Sequence, residues 1–212
     1  MNIKAFEFSL FGVNTYVVWD PETNEAAIID PAMTNKAECE ALDSFIAEKG
    51  LRPVHLINTH LHLDHTFGDE YVSARYGLPL EANEADAGLG ANRQQQADKF
   101  RLPIKLPPVR INHTLKEGDK VKVGNDTLAV LNVPGHSPGS IALYNDRDSF
   151  VITGDALFRG SIGRTDLPGG NHAQLIGSIT DKLLTLPPYT RVYPGHGPSS
   201  TIIDEQRSNP YI

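Results

Sequence analysis

The sequence predicts a mixed α/β (α+β) fold in four layers, two sheets packed face to face with helices outside them. Three observations carry that prediction. Each half of the 212 residues reads as short strands followed by helix. No linker, short-period repeat or low-complexity stretch separates the halves, so residues 1–212 are expected to form one domain. At 40% apolar and 21% charged residues, the composition is ordinary for a globular chain with a sizeable core.

The elements follow in order. Residues 3–9, "IKAFEFS", and 14–20, "NTYVVWD", read as strands with Gly12 between them, and "EAAIID" is a short buried strand ending at Asp30–Pro31. A helix is expected over 35–49, where Asn35 and Glu38 have capping-box spacing and Gly50 stands at the terminator position. Strand 53–59, "PVHLINT", leads into a histidine-rich segment and then a helix over 66–76, stopped by Gly77–Leu78–Pro79. Strands "DKVKV", "TLAVLNVP", "SIALYND" and "SFVITGD" follow, with turns at "GND" and "NDRD". Residues 171–186 have helical periodicity with Asn171 as cap, "YTRVYPGHG" is a last strand and loop, and a short helix starts at Thr201. Residues 84–110, polar and then proline-rich, read as a helix followed by an extended crossing. Residues 156–170 form a glycine-rich loop of a length often put to functional use, and both segments are placed to border a site.

Charge and cysteine content narrow the function. Acidic residues outnumber basic ones 26 to 19, and the scattered lysines and arginines lack the clustered footprint of a nucleic-acid binder. No apolar run reaches the ~18 residues of a membrane span. The N-terminus lacks a signal-peptide layout, and the single cysteine, Cys39, reads as a packed helical residue, so a cytoplasmic protein is expected.

Chemistry concentrates in residues 58–68, "NTHLHLDHTFG". In extended backbone alternate side chains share a face, so His60, His62 and Asp64 can converge, with His65 adjacent on the other side. A single catalytic zinc takes about three protein ligands, so this segment suits two ions better than one. Other strand ends supply matching groups: His136 in "VPGHSPGS", Asp155 in "VITGDALF" and His196 in "VYPGHGP". Asp155 follows an apolar strand, where an unpaired carboxylate would be costly. Spacing alone does not divide these seven groups between ions.

These ordered motifs resemble those of the metallo-β-lactamase-fold hydrolases across nearly the whole chain. The resemblance implies an αββα sandwich with its site along one edge. It implies that His60, His62 and His136 hold one metal, that Asp64, His65 and His196 hold the other, and that Asp155 bridges them. It also implies that Asp30 steadies a ligand histidine from behind. Zinc is expected for the two divalent ions, with iron and manganese compatible. Within the family, "GSIGRTDLPGGNH" and "YPGHGP" look most like short glyoxalase II-type hydrolases, which split the thioester of S-D-lactoylglutathione. Longer members add a C-terminal helical domain with glutathione contacts; this chain ends about sixteen residues after His196, so residues 84–110 and 156–170 are expected to contact the substrate.

The resemblance therefore implies a thioesterase for S-D-lactoylglutathione or a related hydroxyacyl thioester, a small-molecule partner. A metal-bridging hydroxide would attack the carbonyl and a thiolate would leave, with Asp64 and Asp155 as the catalytic carboxylates. An iron-dependent persulfide dioxygenase on the same scaffold, using the positions of His60, His136 and Asp155, is the nearest alternative, and a lactonase the next. A β-lactamase fits less well, because Cys39 is not where such enzymes place a cysteine ligand. A fold that has lost catalysis sits poorly with seven filled positions. Arg164 is a candidate for a substrate carboxylate and Arg159 a weaker one. His55, His113 and His172 read as structural, and Tyr16 as a packed aromatic.

Overall fold

The computed structural model describes residues Met1–Ile212. The first sheet is built from β1 (Asn2–Phe8), β2 (Val13–Trp19), β3 (Glu25–Ile29), β4 (Arg52–Ile57), β5 (Leu80–Ala82) and β6 (His113–Thr114), in that spatial order. Its first three strands pair antiparallel and the rest parallel. The parallel pairings require crossovers. Helix α1 (Lys36–Lys49) carries the chain from β3 to β4, and α2 (Asp69–Tyr76) carries it from β4 to β5. Helices α3 (Ala87–Ala91) and α4 (Arg93–Lys99), with an extended segment after them, span β5 to β6.

The second sheet contains β7 (Lys120–Val123), β8 (Asp126–Asn132), β9 (Ile141–Asn145) and β10 (Phe150–Gly154). A hairpin of β11 (Leu157–Phe158) and β12 (Ser161–Ile162) and helix α5 (His172–Ser178) come next. The chain returns in β13 (Arg191–Pro194) and β14 (Ser200–Thr201) and ends in α6 (Ile202–Ser208). The spatial order is β14-β13-β10-β9-β8-β7, with β10 and β13 parallel.

Alternation along the strands makes the layers. Tyr16, Val18, Ala27 and Ile29 face Val121, Leu128, Ile141, Leu143, Phe150 and Ile152 between the sheets. Their neighbours Val17, Ala26 and Ile28 point the other way, against Leu42 and Ile46 of α1 and Val72 of α2. On the far side, Ala142, Val151 and Val192 pack against Leu175, Ile179, Leu183 and Ile202. Three apolar interfaces between four layers follow from a period of two. The expected αββα sandwich is observed.

Several boundaries differ from expectation. The helix expected from 66 starts at Asp69, preceded by a 3₁₀ turn over Leu63–Thr66. Gly68 lies against Pro31, donating to its carbonyl at 2.7 Å, which turns the chain before the helix begins. The 171–186 helix is α-helical to Ser178 and then π-helical over Ile179–Leu183. The wider turn keeps Leu175, Ile179 and Leu183, spaced by four, against one core. Strands β5 and β6, with three and two residues, were not expected, being too short to show alternation.

Candidate metal centre

Four connections at one edge of the sandwich carry the site. After β4 the backbone is fixed by buried polar contacts. Asn58 Nδ2 donates to the His65 carbonyl at 2.9 Å, and Thr59 donates its N–H and hydroxyl to the Asp30 carboxylate, both at 2.7 Å. The Leu61 N–H donates to Asp86 Oδ2 at 3.0 Å. Asn58, Thr59 and Leu61 are thus anchored to the scaffold, and His60 and His62 reach toward His136, which follows β8.

The imidazoles converge. His62 Nδ1 lies 2.8 Å and His60 Nε2 3.2 Å from His136 Nε2. On the other side His65 Nε2 lies 3.4 Å from His196 Nε2, and Asp64 Oδ2 lies 3.5 Å from His196 Nε2. Asp155 stands between the groups, with Oδ1 3.3 Å from His65 Nε2 and Oδ2 3.6 Å from His136 Nε2 and 3.5 Å from His196 Nε2. Three sets of donors arise, His60–His62–His136, His60–His65–Asp155 and Asp64–His65–His196. Within each set the donor atoms lie inside 4.8 Å of one another.

Tautomers decide what these contacts mean. His136 Nδ1 is 2.7 Å from the Arg164 carbonyl, and His196 Nδ1 is 3.1 and 3.2 Å from the carbonyls of Phe11 and Gly12. A carbonyl only accepts, so both Nδ1 atoms carry the proton and both Nε2 atoms, in the neutral ring, present lone pairs inward. His65 Nδ1 donates to Asp30 Oδ2 at 3.0 Å. His60 Nδ1 lies 3.2 Å from the Thr59 hydroxyl, whose own proton goes to Asp30. The His60 and His136 Nε2 lone pairs, 3.2 Å apart in the neutral rings, repel unless a cation lies between them. Asp155 Oδ1, buried without a hydrogen-bond donor, has the same need. Nitrogen and oxygen donors converging in this way fit a pair of divalent cations.

Protonation supports that fit. Burial, then the neighbouring His65 and His136, push His60 well below the usual imidazole range; burial and His136 bring His62 down to about 4. Burial alone would raise Asp155, but His65 beside it holds the carboxyl well below its ordinary value. His60 and His62 are thus neutral and Asp155 ionised near pH 7. Burial alone would lower His65 and His196 too, but Asp155 and Asp30 raise the first, and Asp64 and Asp155 the second, above the usual imidazole range. Glycines permit the approach. A Cβ on Gly195 would lie 2.2 Å from Asp155 Oδ1, and Gly135, at φ +133°, would place one 2.3 Å from the Leu175 backbone.

A cavity of about 390 Å³ opens over the cluster. Asp64, Asp155 and His196 form its floor, with Phe11, Phe158 and Ile162 among its walls. A second cavity of about 480 Å³ adjoins it and shares His62, Gln96, Phe100 and Leu167. Both irregular segments, 84–110 and 156–170, therefore border the site as the sequence suggested.

The remaining candidates fall as follows. Asp30, fully buried, stands behind His65 and Thr59. Arg164 lines the smaller cavity, but its guanidinium is held by Asp166 through two 2.7 Å contacts, while its carbonyl orients His136. Tyr16 is packed between the sheets and donates to the Pro194 carbonyl at 2.7 Å. His55 bonds Glu81 and the Lys122 carbonyl, away from the cluster. Arg159, His113 and His172 are exposed and absent from the cavity walls, and Cys39 packs on the α1 core.

Sequence reading missed Asp86. This buried carboxylate accepts from the Leu61 N–H, the Ser137 hydroxyl at 2.7 Å and the Gly139 N–H at 2.6 Å. It ties the loop of His60 and His62 to the loop of His136. Burial raises its pKa despite these donors. Its three partners are distant in sequence, so no local motif marks it.

Comparison with known proteins gives one family match, the Metallo-beta-lactamase superfamily, over residues 9–196. The chain is 38% identical over 216 residues to "Hydroxyacylglutathione hydrolase GloC" of Haemophilus influenzae, covering 100% of this chain and 98% of that protein. Among solved structures, BLEG-1 B3 metallo-beta-lactamase superposes with a TM-score of 0.90 at 31% identity, covering 99% of each chain. TTHA1623, solved in a di-iron-bound form, gives 0.86 at 35% identity, covering 99% of this chain and 100% of its own.

Proposed function

The chain belongs to the metallo-β-lactamase superfamily, and from that premise we propose that it is a binuclear metal-dependent hydrolase of S-D-lactoylglutathione or a related hydroxyacyl thioester. His60, His62 and His136 would hold one ion and Asp64, His65 and His196 the other, with Asp155 between them. A pair of divalent cations supplies ionised water at neutral pH and electrostatic stabilisation for an oxyanion. Zinc is the natural occupant of these donors, and the di-iron form of TTHA1623 makes iron the first competitor.

The protein's own groups complete the reading. Asp155 is held ionised by His65, and Asp64 on the cavity floor is the carboxylate placed to orient an attacking water. Phe11, Phe158 and Ile162 wall the reacting carbonyl and limit access of bulk water. One observation favours a thioester. Outside the proposed metal ligands, the wall of the cavity over the cluster includes no histidine, carboxylate, lysine, tyrosine or cysteine that could protonate a departing amine or alkoxide. A thiolate, with a conjugate-acid pKa near ~8.5, leaves without such help. The full-length likeness to a hydroxyacylglutathione hydrolase supports the same choice.

The test is metal analysis of the purified protein followed by a panel of S-D-lactoylglutathione, lactones and nitrocefin, with oxygen uptake measured on glutathione persulfide. Thioester hydrolysis well above the other activities is expected, with two metals per chain. One iron per chain, oxygen consumption and no hydrolysis would replace this reading with the dioxygenase. Faster cleavage of nitrocefin or a lactone would move it to those classes.

A further inference from the structure

The larger of the two joined cavities contains none of the proposed metal ligands except His62, which it shares with the smaller one. It is built from the helical segment after β5 on one side and the 156–170 loop on the other. Leu89, Phe100, Pro138 and Leu167 give it apolar surface. Phe100 is 41% exposed among them.

Its polar groups divide clearly. Gln96 is fully engaged, accepting from the Leu63 N–H at 3.0 Å and donating to the Leu89 carbonyl at 2.9 Å, so it belongs to the scaffold. Asn92 uses only its amide nitrogen, on the Gly88 carbonyl at 2.8 Å, which leaves its side-chain oxygen free. Gln95 is exposed and makes no side-chain hydrogen bond in the fold. Lys99, one turn further along α4, is exposed and makes no direct ion pair, although its charge reaches the exposed Asp166. Apart from His62 it is the one ionisable side chain of that cavity. Arg164, the cation of the neighbouring cavity, is already held by Asp166.

A free ammonium, two free amides on one helical stretch and an apolar floor suit a peptide-like chain ending in a carboxylate. We propose that this cavity is the subsite for the thiol portion of the substrate. On this view α4 selects thioesters of a carboxylate-bearing, amide-containing thiol, with Lys99 reading the carboxylate and Gln95 and Asn92 the amides. The smaller cavity, over the ligand cluster and walled by Phe11 and Phe158, then takes the acyl group. The assignment rests on the thioesterase reading for its orientation, but the subsite's preference for such a thiol can be measured without turnover.

The test uses the metal-loaded full chain, Lys99→Glu and Lys99→Arg. One measurement is calorimetric binding of S-methylglutathione, which has the amides and carboxylates but no scissile thioester. The other is the ratio of kcat/KM for S-D-lactoylglutathione to that for a neutral thioester, S-lactoyl-N-acetylcysteamine. Lys99→Glu should weaken S-methylglutathione binding and lower the kcat/KM ratio, each about three- to tenfold, as expected for a partly solvated ion pair reversed in sign. Raising the salt concentration should shrink both effects, and Lys99→Arg should restore most of each. Unchanged binding and an unchanged ratio in Lys99→Glu, with hydrolysis intact in the parent, would overturn the subsite and leave the thioesterase standing. Weakened S-methylglutathione binding in Lys99→Glu, with no thioester cleaved by the parent, would overturn the thioesterase and leave the subsite standing.

Discussion

Asp30 Oδ2 lies 3.0 Å from Nδ1 of His65, thirty-five residues along the chain, and the same carboxylate takes the hydroxyl proton of Thr59, which accepts from His60. One buried carboxylate thereby fixes a histidine in each of the two proposed ligand groups. It does so from a left-handed backbone conformation, φ 51°, uncommon for a residue with a side chain. Its own carbonyl accepts from Thr15 at 2.7 Å, which helps hold that turn.

Asp30→Asn replaces one acceptor oxygen by a donor among three donors. Metal affinity should fall about 10- to 100-fold, the scale for losing a partner that orients a ligand. Both ions should weaken, because His60 and His65 lose the same anchor. Competition with a chromophoric chelator measures this, and a loss confined to one ion would remove the shared role.

Asp86→Ala leaves three donors, on Leu61, Ser137 and Gly139, without their acceptor in a buried place. The cost should be about 3–5 kcal/mol, read from urea unfolding with metal present. On the proposed division of ligands, an ion at His60, His62 and His136 should weaken more than one at the other set, since Asp86 joins the two loops that carry those residues. A change within about 0.5 kcal/mol would show that the loops hold without it.

Asp155→Ala should lose at least one metal per chain and nearly all hydrolysis, and chelator treatment of the parent should do the same reversibly. Metal content by plasma emission and turnover of S-D-lactoylglutathione are the readouts. Full activity in Asp155→Ala would remove the bridging role. Chelation should also lower the melting temperature, because ions that bind only the folded chain stabilise it by mass action.

His55 supplies a pH prediction away from the centre. Burial alone would lower its pKa, but the hydrogen bond and charge of Glu81, at 2.6 Å, and the Lys122 carbonyl, at 2.9 Å, raise it above the usual value. Both ring nitrogens face acceptors, so the imidazolium fits this place best. A raised folded-state pKa gives stability that is complete below the unfolded value of ~6.5 and is lost as pH rises through the folded value. His55→Gln should therefore cost more at pH 5.5 than at pH 8.5. The difference should stay under about 1 kcal/mol for a partly solvated pair, and urea midpoints at the two pH values measure it. Equal costs would mean the ring is neutral.

What the sequence determined is local. The continuous apolar runs in "NTYVVWD" and "EAAIID" mark strands buried on both faces, because a strand turns its side chains by half a revolution per residue and so sends neighbours into opposite cores. The crowding of His60, His62, Asp64 and His65 after an apolar strand marks chemistry for a similar reason: such groups are too costly to bury beside a core without a use. Tertiary structure decided the rest. His62 meets His136 across seventy-four positions, Asp86 reaches Ser137 across fifty-one, and Arg164 turns its charge to Asp166 rather than leaving it free. These pairings depend on which strand ends the two sheets bring to one edge, and on where burial leaves a donor without an acceptor. Periodicity along the chain does not encode either quantity, so they became readable only once the layers were in contact.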